Sequence, residues 1–167
     1  MAAKDLLCFL EYFADRGSVV DAFGNRTPTY QWQNFYQVAQ TLSVDSNATG
    51  SYVYLPFDID GLGSSGASEI NDLSITAAAT AQLVDITDAA IGADNLVIAS
   101  LYVQDAGKEQ LDSASAQLIS RYIGSIEGAS LDDQTVSWKV NPAINKLKPQ
   151  VPTRKITAGM LIRQVGE

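Results

Sequence analysis

Asp58 and Asp60 open the stretch DIDGLGSSGASE, which sets acidic side chains at loop positions 1, 3 and 12, the last being Glu69, with Gly63 at position 6. With that spacing a twelve-residue calcium loop surrounds its ion. Position 5 is Leu62 and position 9 is Gly66, neither of which brings a side-chain oxygen, and a strand-like run precedes the loop where a helix belongs. The stretch reads as a glycine-hinged loop, with Asp58, Asp60 and Glu69 as weak metal candidates. Other reactive groups are scarce. The chain has no histidine and one cysteine, which excludes imidazole-based triads, imidazole zinc sites, thiolate metal sites and an intrachain disulfide. Two carboxylate pairs remain, Asp58 with Asp60 and Asp132 with Asp133, and close neighbours on one strand do not face each other as glycoside hydrolysis requires. No glycine motif that cradles a phosphate occurs. No catalytic residue and no cofactor are expected, so the chain is read as a non-enzyme, and Cys8 in LLCFLEYF as a small buried apolar filler.

Rings and amides are the other conspicuous groups. TYQWQNFYQVAQ, residues 29 to 40, interleaves four aromatic rings with glutamines and an asparagine and carries no charge. Read as strand, turn and strand, it places Tyr30 and Trp32 on one arm and Phe35 and Tyr36 on the next, with Gln33 and Asn34 at the bend, since Asn tolerates the positive φ of a tight hairpin. Alternatively Tyr30, Trp32 and Tyr36 form a flat stacking platform for a sugar, flanked by Gln31 and Gln33. Core packing of half these rings is the plainer reading.

The elements that must hold these groups follow from patterning. At 167 residues the chain has the length of one domain. Its charged fraction of 18% is low, and the net charge of −8 comes from 19 acids against 11 bases. Such a surface argues against a nucleic-acid face, which needs clustered Lys and Arg, and suits contact with other protein. No apolar run reaches the length of a membrane span, and the start, MAAKDLL, lacks the basic and apolar parts of a signal peptide, so synthesis in a cytoplasm is expected. Residues 6–13 read as a buried first strand. In SYVYLPFDI, Val53, Leu55, Phe57 and Ile59 alternate with Tyr52, Tyr54 and Asp58, which predicts a strand, and Pro56 sets it at a sheet edge or bulge. NDLSITA reads as a strand, residues 77–91 as a helix closed by Gly92, and NLVIASLYVQD as a central strand. AQLISRYIGSIEGASLDDQTVSWKVNP holds two strand-like runs joined around GASLDD. The expected fold is mainly β, an antiparallel barrel or sandwich with one inserted helix. Residues 1–141 would form this domain, and residues 142–167 an extended, proline-containing segment packing on neighbours.

Read in order, the aromatic hairpin, the glycine loop GLGSSGAS, the helix, the long strand NLVIASLYVQD, the Arg–aromatic strand with SRY, the Asn–Pro stop and the VPTRKI segment resemble the minor tail protein L family of lambda-like phages. The resemblance spans about 130 residues and departs at the end, where this sequence has no cysteine-rich iron–sulfur module. It implies a structural part of a virion tail tip or baseplate, an adaptor between the tail tube or distal tail ring and the central hub, in a homo-oligomeric ring of three or six. Its partners would be other tail proteins, with no specific nucleic-acid contact and no membrane insertion. The partner-contacting candidates are Gly61, Gly63 and Gly66 in the loop and Pro149, Pro152 and Arg154 in the last segment, Arg154 because its guanidinium pairs bidentately.

Overall fold

The computed structural model describes residues 3–15, 27–35, 40–45, 48–62, 72–112 and 114–142. Nine strands and one helix follow in the order β1 (Lys4–Phe13), β2 (Tyr30–Gln33), β3 (Gln40–Asp45), β4 (Ala48–Tyr54), β5 (Phe57–Asp60), β6 (Leu73–Ala78), α1 (Ala81–Ala90), β7 (Leu96–Asp105), β8 (Gln117–Leu131) and β9 (Thr135–Pro142). The mainly β fold with one helix is as expected from the patterning. The barrel or sandwich is not: the strands form a single mixed sheet in the order β3-β4-β2-β1-β7-β8-β9-β6-β5. All neighbours are antiparallel except β2 and β4.

Among the described residues the sheet rolls without closing. β2 and β9 are separated in that order by three strands, yet Trp32 lies 6.2 Å from Trp138 between ring centroids. Leu55 and Pro56 carry the chain from β4, near one end of the sheet, to β5 at the other, and Leu55 N–H donates to the Gln33 carbonyl at 2.9 Å. Pro56 therefore divides the expected single strand SYVYLPFDI into two and shifts its phase. Tyr52 is fully buried on the outer face, while Val53 is exposed. The edge position inferred from Pro56 holds, since β5 ends the strand order.

One core fills the roll, with Leu10, Trp32, Phe57, Leu73, Ile75, Leu83, Ile126 and Trp138 among its members. On the outer face, Leu7 and Phe9 pack with Tyr52 and Tyr102, so β1 is buried on both faces, as a sheet's central strands are when covered twice. α1 starts four residues later than expected because Ala77 and Ala78 pair with Val136 and Thr135 and so complete β6. Thr80 caps the helix by accepting from Leu83 N–H, and Gly92 follows its end at φ +82°.

Two connections differ from expectation. β2 does not turn back into a hairpin: it pairs with β1 on one side and β4 on the other. Asn34 instead extends the β1 ladder, its Oδ1 accepting from Cys8 N–H at 3.0 Å while its own N–H donates to the Cys8 carbonyl at 3.3 Å. The stretch GAS is no loop either. β8 runs through it with a bulge between Ile126 and Gly128, and the turn falls at residues 132–134. Residues 143–167, and with them the proposed extended segment, lie outside the described residues.

Candidate interaction site

Trp32 and Tyr12 are buried in the core, and Tyr30 packs against it half-buried. Tyr30 stacks with Trp32 at 5.5 Å and with Tyr12 at 6.3 Å, and Trp32 is 4% exposed. They brace the roll against Trp138, whose indole N–H donates to Thr87 Oγ1 of α1 at 2.7 Å. Thus Trp32 has no exposed face for a sugar, and Tyr36 lies outside the described residues. Cys8 is buried, as its apolar surroundings implied, and burial pushes its thiol up to about 12.

The sequence-derived candidates divide between two places. Gly63, Gly66, Glu69, Pro149, Pro152 and Arg154 lie outside the described residues. Asp58, Asp60 and Gly61 fall together at the end of β5, where a cleft of about 490 Å³ opens between β5 and the start of β1. Its walls are Asp58, Ile59 and Asp60 on one side and Leu6, Cys8 and Asn34 on the other, and Leu101 also lines it. Both carboxylates are exposed, and no group of carboxylates or thiols among the described residues is placed to hold a metal ion. Gly61 adopts φ +96°, and a Cβ there would stand 2.9 Å from the Asp72 carbonyl oxygen, so the turn out of β5 needs glycine.

Patterning alone missed a second feature. On β8 the pairs Ile98↔Ile123 and Tyr102↔Leu118 put Leu118 and Ile123 on the outer face although they are five residues apart, because a bulge between Leu101 and Tyr102 absorbs one residue. Leu118, Ile119 and Ile123 are all exposed, 42%, 53% and 46% respectively. Alternation without the bulge places Leu118 and Ile123 on opposite faces, which hides the row from sequence reading.

No protein-family model and no curated protein sequence matches the chain.

What remains is geometry. The described part of the molecule offers exposed apolar side chains on β8, an acidic cleft at the open seam of a rolled sheet, and Tyr12, Trp32 and Trp138 buried in the core. None of its helices is long and apolar enough to cross a membrane.

Proposed function

We propose that the protein is a structural subunit of a bacteriophage tail tip or baseplate, an adaptor that joins the tail tube or distal tail ring to the central hub. The observation that carries an assembly role lies on β8, where Leu118 and Ile123 stand exposed on the outer face and Ile119 is exposed beside them on the same long strand. The order of motifs that resembles the minor tail protein L family supports the tail setting. A low charged fraction suits a subunit with several neighbours, in a homo-oligomeric ring of three or six, and an acidic balance suits a channel through which DNA slides without adhering. The protein would then reside in the virion tail after synthesis in the bacterial cytoplasm.

The test mixes the purified chain with tail-tube, distal-tail and hub proteins encoded beside it and measures mass by size-exclusion chromatography with light scattering. A ring-sized complex with one of them is expected, and the double variant Leu118→Ser, Ile123→Ser should weaken it by at least about tenfold, as loss of central apolar contacts does. Elution of every mixture as separate components would refute the reading.

A further inference from the structure

Among the described residues, the rolled sheet has two unpaired walls at its seam. β2 pairs with β1 only from Phe9 to Tyr12, so among the described residues Lys4–Leu7 have a strand neighbour on the β7 side alone. The Tyr12 and Cys8 carbonyls accept from Thr29 and Asn34 on the β2 side, and the alternation of the ladder turns the Leu6 N–H and C=O to that same side. Across the cleft β5 closes the strand order. Ala78 N–H donates to the Pro56 carbonyl at 3.5 Å, so the ladder turns the main-chain groups of Phe57 and Ile59 away from β6 and into the gap.

The side chains agree with the backbone. Leu6 shares a face of β1 with Cys8, Leu10 and Tyr12, all in the core, yet it is 59% exposed. Among the described residues it is a core position without its cover. Asp58 and Asp60 stand on the opposite wall, exposed and on the same face of β5. An occupant that fits is therefore extended, apolar at intervals, and basic.

We propose that the seam is a docking slot for residues 143–167 of a second copy of this chain. That stretch holds Lys146, Lys148, Arg154, Lys155 and Arg163 against Glu167, a net +4 in a chain of −8, so residues 1–142 carry −12. It also supplies Ile144, Leu147, Val151 and Ile156 among those bases. Such a segment adds a strand to an exposed edge while its side chains fill alternate pockets, and opposite charge selects and orients it. Slot and segment are different parts of one chain, so the contact is head-to-tail, the kind that closes a ring when its rotation allows. The copies this requires are those of the proposed assembly, so the inference rests on that reading. Its test needs this chain alone, however, and its failure is separable from failure to bind tail proteins.

Sedimentation velocity of the full chain, from low to high micromolar concentration, is expected to show reversible self-association. Two variants should each weaken it by about tenfold or more, as charge reversal at an interface does: Asp58→Lys with Asp60→Lys, and Arg154→Glu with Lys155→Glu. Far-UV circular dichroism should show both folded, since Asp58 and Asp60 are exposed. An equimolar mixture should regain association, because each slot then meets a segment of opposite sign. A wild-type chain that stays monomeric overturns the proposal, including the case in which the seam variant loses thermal stability because the chain fills its own slot. So does association that both variants leave unchanged, or a mixture that fails to recover.

Discussion

Thr87 is where the helix is fastened to the sheet by a single oxygen. Its hydroxyl donates to the Leu83 carbonyl at 2.6 Å and accepts from the Trp138 indole at 2.7 Å, with Thr87 and Trp138 both buried. Thr87→Val keeps the shape and leaves a buried N–H without an acceptor, so the substitution should cost about 1 to 3 kcal/mol in urea unfolding. A change within the error of the method would mean that the bond contributes nothing to stability. Cys8 gives a second expectation. Its thiol rises from 9.0 to about 12 through burial, which leaves roughly a thousandfold less thiolate at mildly alkaline pH. Ellman's reagent should therefore react with the unfolded chain and spare the native one. The sign for stability follows: a raised folded pKa means that the protonated thiol is favoured in the fold. Its contribution is full below the unfolded value of 9.0 and is lost as pH climbs toward about 12.

Single elements show what could be read in advance and what could not. β6, β7 and α1 were legible because each carries its own period: Leu73, Ile75 and Ala77 alternate into the core, and Leu83, Ile86 and Ala90 return on one helical face. β2 is not legible as a sheet-joining strand because its partners are remote in sequence. Tyr30 and Trp32 look like half of a hairpin, yet they face Tyr12 and Leu10 of β1, and no local signal announces a partner some 20 residues away. The seam was half legible for the same reason. Asp58, Asp60 and Gly61 stood out as a loop entrance, whereas Leu6, Cys8 and Leu101 join them only through the roll. The β8–β9 turn is a local element whose chemistry can be checked. Asp132 accepts from the Gln134 and Thr135 N–H groups at 2.9 and 2.7 Å and from the Thr135 hydroxyl at 2.9 Å. The Gln134 bond first, then those from Thr135, hold its carboxyl below the ordinary 3.8. A depressed folded pKa means that this support is present above the unfolded value and fades as pH falls through the folded one. In an acid titration followed by NMR, the Gln134 and Thr135 amides should shift with a midpoint under 3.8. A midpoint at or above it would remove the assigned bonds.

At the scale of the molecule, the roll makes one cooperative unit of parts that are far apart in the strand order. Trp32 and Trp138 come from opposite flanks of the sheet and meet in the same core, which also takes in Leu83, Ile86 and Ala90 of α1. Asn95 ties the same parts by hydrogen bonds. Fully buried, its side-chain amide donates to the Ala90 carbonyl at the helix end and to the Ile126 carbonyl of β8, while its oxygen accepts from Ile126 N–H. Helix, central strands and both flanks therefore share the core inside the roll, and the described part of the chain should unfold in one step. Thermal melts followed by tryptophan fluorescence and by far-UV circular dichroism should coincide, and Asn95→Ala should lower both together by an amount corresponding to about 2 to 5 kcal/mol, since buried carbonyls and an N–H lose their partner at once. If the fluorescence transition preceded the loss of β signal, the Trp32–Trp138 contact would be a loose apposition of two flanks and not the lock of the roll. The seam would then have to be regarded as a hinge between them.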